Sequence, residues 1–373
     1  MPFQIIRNDI TKVRADAIVN TANPEPCVGR GTDSAVYAAA GAEELLAERK
    51  RIGEILPGRA VSTDAFGLQA KYIIHTVGPV WIDGSRGERD VLRSCYEQSL
   101  ALAEKLRCES IAFPLISSGT YGFPKEEALK IALAEIGKFL LTHEMKVLLV
   151  VLDRRSLALS EDLIGEIDQY IDEHEARRLA EAEYGGAVPS GLLRRAAPRG
   201  RERKAADFLS SAMPAPSRPL PASAAPPESR PEASAADDTV PAPWNPANEG
   251  AKSLDELLDS AGETFQQRLF RLIDASGEDD VTVYKRANID RKVFSRIRCR
   301  PDYRPAKRTA VAFAIALNLD MPATLDLLAR AEYTFSPSSR FDLIISYFIN
   351  RKIYDINEIN AVLFSYGQPT LGE

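Results

Sequence analysis

Over its first 174 residues this chain alternates short apolar runs with longer stretches of helical period, a pattern that few architectures satisfy. The runs at residues 3–7, 17–20, 60–64, 72–76, 110–114 and 147–152 have the length and composition of buried strands. Between them, residues 34–40, 42–50, 88–106, 125–141 and 161–173 repeat apolar side chains at three- and four-residue spacing. In 125–141, for example, Leu129, Ile131, Leu133, Ile136 and Leu140 make a broad stripe. Buried strands separated by amphipathic helices predict an α/β domain: three α/β/α layers around a mixed, mostly parallel sheet.

The composition then changes. From about residue 183 to residue 250 the chain fills with Pro, Ala, Ser and Arg, and about half of its 24 prolines fall there. Such a segment cannot bury enough apolar surface to offset its ordering entropy, so a disordered linker is expected over 178–252. Residues 253–373 return to helical periodicity, with Gly and Pro confined to the gaps, and predict a second, all-α domain. The expected organisation is therefore 1–177, a linker, and 253–373.

The 373 residues carry a net charge of −6, which gives the whole molecule no electrostatic case for nucleic acid or an acidic membrane. No run approaches the roughly 18 apolar residues of a membrane span, and the first residues lack the form of a signal peptide. The four cysteines (Cys27, Cys95, Cys108, Cys299) contain no CxxC pair, and His75, His143 and His174 show no ligand spacing. These features predict a cytoplasmic protein without a disulfide framework, a metal or a cofactor.

Two loops stand out in the first domain, each joining a buried strand to a helix through small residues. The first holds Asn20 and Asn23, then Gly29-Arg30-Gly31-Thr32, with Asp33 at a helix entrance. The second holds Ser117-Ser118-Gly119-Thr120-Tyr121. Such residues let successive backbone N–H groups turn onto an anion, and a helix N-terminus adds a favourable dipole. In an open α/β sheet, ligands lie beyond the carboxyl ends of the strands. Two facing loops of this kind would hold a diphosphate. Asp33, at its helix entrance, is also a preferred N-cap residue.

The stretches NDITKVRADAIVNTAN, GRGTDSAVYAAAG, AKYIIHTVGP and SIAFPLISSGTYGFP, in this order within about 1–177, resemble the ordered signatures of the macrodomain family. The resemblance implies a pocket for ADP-ribose. It places Asp9, with Ile10 beside it, against the adenine, and Asn23 against the distal ribose, with Asn20 bracing the loop. Gly29, Arg30, Gly31 and Thr32 would line the distal ribose and phosphates. Ser117, Ser118, Gly119, Thr120 and Tyr121 would form the diphosphate loop, with Tyr121 against the distal ribose. Hydrolytic members carry an acid where Asp33 stands, which implies removal of ADP-ribose from modified proteins, or hydrolysis of an ester such as O-acetyl-ADP-ribose, with Asn23 and Asp33 as the catalytic pair. Those members have consecutive glycines and Val-Asp-Gly where this chain has Gly-Arg-Gly-Thr-Asp-Ser. Arg30 and Ser34 therefore leave open a non-catalytic ADP-ribose reader. His75, inside an apolar run, reads as a packed core histidine.

Within the second domain, residues 281–331 resemble a Cro/repressor-type helix-turn-helix, with 283–287 as first helix and 291–298 as second. Lys285, Arg286, Arg291, Lys292, Arg296, Arg298, Arg300, Arg304, Lys307 and Arg308 cluster there against Asp290 and Asp302. This implies either a DNA partner, making the chain an ADP-ribose-responsive regulator, or a protein-docking module.

Overall fold

The computed structural model describes residues 2–152, 159, 161–184, 263–300 and 303–372. Most of the expected linker, its basic stretch at 194–204, and residues 253–262 of the expected second domain lie outside the described residues.

Six strands form one sheet: β1 (Phe3–Arg7), β2 (Ala17–Thr21), β3 (Ala60–Asp64), β4 (Tyr72–Thr76), β5 (Ser110–Pro114) and β6 (Lys146–Val151). Their spatial order is β1-β6-β5-β2-β4-β3. Every neighbouring pair is parallel except β3 and β4. The sheet is mixed and mostly parallel, as the runs of Val, Ile and Leu require.

Side chains on alternate residues of a strand face opposite ways, so each strand supplies two layers. Ala17, Val19, Ile111, Phe113, Val147 and Leu149 pack with α3 (Glu88–Lys105) and α4 (Lys125–Thr142). Ile18, Ile73, Ala112, Leu148 and Val150 pack on the other face with α1 (Thr32–Ala40) and α2 (Ala42–Ile52). The parallel strands all end on one sheet edge. There β2 and β5 are neighbours, which brings the two glycine- and serine-bearing loops side by side.

The helix α5 (Glu161–Tyr184) continues into the first residues of the expected linker. Its Ile167 and Ile171 are buried in a second core, built with seven later helices. These are α6 (Phe265–Ser276), α7 (Asp280–Arg286), α8 (Arg291–Cys299), α9 (Lys307–Ala316), α10 (Met321–Arg330), α11 (Arg340–Asn350) and α12 (Ile356–Ser365). Several start at side-chain caps: Thr264 in a capping box, then Asp279, Asp290, Asp320, Ser339 and Asp355.

The helical layer and the sheet domain form one compact unit. The contact is specific. Asn288, buried between α7 and α8 at φ 54°, accepts a hydrogen bond from the Phe3 N–H (2.9 Å) and donates one to the Phe3 carbonyl (3.0 Å). It thereby satisfies the outward backbone groups of Phe3 on β1, the edge strand of the sheet. Ala361 of α12 is buried among residues of β1 and α4, and the Tyr284 hydroxyl donates to Glu144. On the far side of the layer, the hydroxyls of Tyr347 and Tyr366 donate to Glu166 and Asp168 of α5.

Candidate functional site

Four of the residues marked out in the sequence are tied together at the carboxyl end of β2. Asn20 is the fourth residue of that strand and is fully buried. Its amide donates to Asp33 Oδ1 (2.6 Å), so it braces the carboxylate rather than the loop backbone. Asp33 Oδ2 accepts the Gly29 N–H at 2.5 Å. Asn23 lies over Gly29: a β-carbon there would sit 2.6 Å from Asn23 Nδ2 and 3.0 Å from Asp33 Oδ2. A side chain at 29 would therefore displace Asn23 and Asp33.

Asp33 departs from the sequence expectation in one respect. The N-cap of α1 is Gly31, at φ 64°, and the helix starts at Thr32. Asp33 is inside the first turn and caps nothing in its own helix. Its carboxylate is turned back toward the strand end by Asn20 and Gly29 and is 2% exposed. Burial raises its pKa, opposed by the bonds from Asn20 and Gly29 and by the charge of Arg49. A carboxylate near a helix N-terminus also gains from the helix dipole.

The second loop meets the first through Tyr121, whose hydroxyl donates to Asn23 Oδ1 at 3.3 Å. Burial raises the Tyr121 pKa, and the charge of Asp33 adds to the effect. Ser117 is buried at φ 62°, pressed against Gly78, where a β-carbon would lie 2.1 Å from its Oγ. Ser118 folds inward, with its hydroxyl and N–H both donating to the Leu115 carbonyl. Gly119 and Thr120 are exposed, and among the described residues no acceptor takes the N–H groups of Gly119, Thr120 and Tyr121. In the first loop, Arg30 and Gly31 are exposed and Thr32 is half-buried.

Asp9 and Ile10 stand apart from this cluster, just beyond β1 on the same sheet edge. Asp9 caps a short 3-10 turn, accepting from the Thr11 N–H (3.0 Å) and hydroxyl (2.8 Å). Those bonds lower its pKa and keep it an ionised acceptor. Ile10 is buried beneath it.

His75 is wholly buried, hydrogen-bonded at both ring nitrogens, with its pKa pushed down to about 3 by burial and by the charge of Arg49. Arg49 is the functional candidate that sequence reasoning missed. Set in the charged run Glu48-Arg49-Lys50-Arg51 it reads as a solvated helix residue, yet it is 1% exposed. Its guanidinium donates to the carbonyls of Gly53 (3.1 Å) and Asn23 (3.4 Å), beneath the first loop and beside Asp33 and Tyr37. Leu45, one turn earlier on α2 and also fully buried, is the only sequence signal that position 49 faces inward.

Residues 19–132 match the Macro domain family. A macro domain-containing protein of Methanosarcina mazei is 48% identical over 143 residues, 38% of this chain and 76% of that protein. The chain belongs to the macrodomain family. An O-acetyl-ADP-ribose deacetylase of Klebsiella pneumoniae is 44% identical to this macrodomain protein over 168 residues, 43% of this chain and 95% of the relative. Among solved structures, a macrodomain of Oceanobacillus iheyensis with ADP is 34% identical, covering 45% of this chain and 92% of its own, at a TM-score of 0.41. The family match falls within the sheet domain. Among the described residues, no helix of this macrodomain protein is long and apolar enough to cross a membrane.

Proposed function

We propose that this macrodomain binds ADP-ribose across the carboxyl edge of its sheet and hydrolyses a bond at the distal ribose. The observation that carries the reading is the Tyr121–Asn23 bridge between two loops with unclaimed N–H groups, set beside the buried carboxylate of Asp33. Anions are held by such N–H groups at little reorganisation cost, because the backbone already points at the ligand. Asp9 follows β1 and Asn23 follows β2, strands three positions apart in the sheet, a separation of about 14 Å. That distance separates an adenine at Asp9 from a sugar at Asn23. Asp9, with Ile10 beside it, takes the adenine amino group. Gly31, Thr32, Gly119, Thr120 and Tyr121 offer N–H groups to the diphosphate, with Ser117 and Ser118 shaping their loop and Arg30 at its rim.

In this reading Asn23 positions the distal ribose and Asp33 the attacking water. A carboxylate raised by burial is a better base near neutral pH than an exposed one. For an acetyl ester of the ribose, water adds to the carbonyl carbon as Asp33 takes its proton. The ribose oxygen then leaves with that proton and acetate is released. The relatives named O-acetyl-ADP-ribose deacetylase favour this ester as substrate. An ester joining ADP-ribose to an acidic protein side chain has the same reacting bond, and both are substrates in this reading.

The test uses full-length protein, O-acetyl-ADP-ribose and a mono-ADP-ribosylated protein, with Asp33→Asn as comparison. Release of acetate or ADP-ribose by wild type and its loss in the variant are expected. ADP-ribose binding without release from either substrate rejects hydrolysis in favour of a reader.

For the helical layer, one observation favours a further reading. Arg291, Lys292 and Arg296 of α8, and Arg300 just after it, are exposed, and among the described residues none has a carboxylate within ion-pair distance. α7 is turned the other way, with the Lys285 ammonium on the Leu141 carbonyl. We infer a docking face for a polyanion such as duplex DNA, whose affinity would fall steeply with salt. Failure to bind duplex at low salt would leave the acidic surface of a modified protein as the partner of this face.

A further inference from the structure

Behind Asp33 a single file of polar side chains crosses the sheet. Thr63 on β3 contacts His75 Nε2 (3.0 Å), His75 on β4 contacts Asn20 Nδ2 through Nδ1 (3.2 Å), and Asn20 on β2 contacts Asp33 (2.6 Å). Asn20 and His75 are direct register partners, so backbone pairing fixes the separation of their side chains. All four groups are buried.

With Asp33 ionised, the donors in this file can be ordered in one way only. The Thr63 hydroxyl has one hydrogen, which it gives to the Asp64 carbonyl at 3.1 Å. It therefore meets Nε2 with a lone pair, and Nε2 carries the ring hydrogen. Nδ1 is left as an acceptor. Asn20 must face it with N–H, and its second N–H then points at Asp33. Flipping the amide would set its oxygen against both the Nδ1 lone pair and a carboxylate oxygen. The Asn20 oxygen is buried without a partner in this arrangement, a cost tolerated because both N–H groups are engaged.

We propose that His75 is a positioning residue for Asp33: its fixed neutral tautomer holds the Asn20 amide so that it always donates to the carboxylate. The ring is wholly buried and its hydrogen-bonded path to Asp33 runs through Asn20. This rests on the reading that Asp33 serves the hydrolysis. The other titratable groups facing Asp33 are Arg49 from α2, Tyr37 from α1 and Tyr121 from the loop after β5, with Cys27 of the loop after β2 beside the two tyrosines. None of them hydrogen-bonds Asn20, so none can replace His75 in setting the amide.

The experiment is nuclear magnetic resonance on the full chain, joined to kinetics. In wild type, 15N spectra are expected to show His75 neutral with its hydrogen on Nε2 from pH 5 to 8. A hydrogen on Nδ1, or a charged ring, overturns the proposal. His75→Phe keeps an aromatic ring but removes the acceptor, while the Oδ1 of His75→Asn stands near the place of Nδ1. In His75→Phe the Asp33 carboxyl, followed by 13C, should titrate at higher pH. The acidic limb of the kcat profile for O-acetyl-ADP-ribose should move the same way. At neutral pH kcat should fall about tenfold with KM little changed, the loss of one buried hydrogen bond acting on a single oriented group. His75→Asn should restore most of both. A folded His75→Phe with the wild-type titration overturns the proposal. If His75→Phe does not fold, Thr63→Val releases the tautomer instead. It should give a smaller shift of the same sign, and no shift again overturns the idea. Wild type without turnover, but with the Nε2–H tautomer and a displaced Asp33 titration in the variants, rejects the hydrolytic reading and supports the positioning role.

Discussion

Replacing Asn288 by alanine removes the two hydrogen bonds that join the helical layer to the edge of the sheet. The side chain is 3% exposed, so the Phe3 N–H and carbonyl lose their partners in a largely buried setting. Each unpaired buried group costs about 1–3 kcal/mol. Alanine is also less at ease than asparagine at φ 54°, by about 1 kcal/mol. The sum is about 3–7 kcal/mol, a large part of the stability of an ordinary domain. Asn288→Gly separates the terms, because it relieves the backbone and loses both bonds. The assay is urea unfolding of the full chain with amide exchange read at Phe3. Alanine should lower the midpoint most and glycine slightly less, and the Phe3 amide should lose protection in both. An unchanged midpoint together with an unchanged Phe3 exchange rate would refute the reasoning.

Gly29→Ala should abolish most ADP-ribose affinity while leaving the unfolding midpoint within about 1 kcal/mol of wild type, because its β-carbon displaces Asn23 and Asp33 at the loop rather than in the core; calorimetric titration beside denaturation checks this. His75 gives a pH signature: its folded pKa of about 3 lies below the ordinary 6.5, so its contribution is present above 6.5 and is lost as pH falls toward 3. The loss reaches about 5 kcal/mol at the acid end, and His75→Asn should flatten the fall in urea midpoint between pH 7 and 4. Arg49→Leu removes a cation that lowers the Asp33 pKa, so the acidic limb of the rate profile should move to higher pH. It also frees the Asn23 carbonyl, and kcat/KM should fall by about tenfold, with an unmoved profile counting against the role given to the charge.

The sheet domain was legible because its strands are apolar on both faces and its helices amphipathic, a contrast that survives without any alignment. All six strands lie within a residue of the runs that period and composition mark out. The two loops were legible for a different reason. Strand-to-helix turns that leave N–H groups free need small residues, and Gly29, Gly31 and Gly119 supply them. Arg49 was not legible, since a charge four residues after a buried leucine looks the same whether its head reaches water or a loop carbonyl. Nor was the position of Asp33 in its helix. Gly31 starts the helix through a positive φ rather than a side chain, so the capping preference of Asp pointed to the wrong residue. The docking of the helical layer was hidden for a third reason. Asn288 looks like an ordinary turn residue, and its partner, a backbone 285 positions away, has no side-chain signature.

That α5 is buried among helices from the far side of residues 185–262 bears on what cleavage can do to this protein. A protease cut anywhere in that stretch would leave two fragments sharing a hydrophobic core, the Asn288 clasp and three tyrosine–carboxylate bonds. They should co-elute as one species, and two separately expressed halves should find each other and refold together. A truncation ending at residue 177 would instead strip Ile167 and Ile171 of their neighbours, and aggregation of that fragment is the outcome to expect.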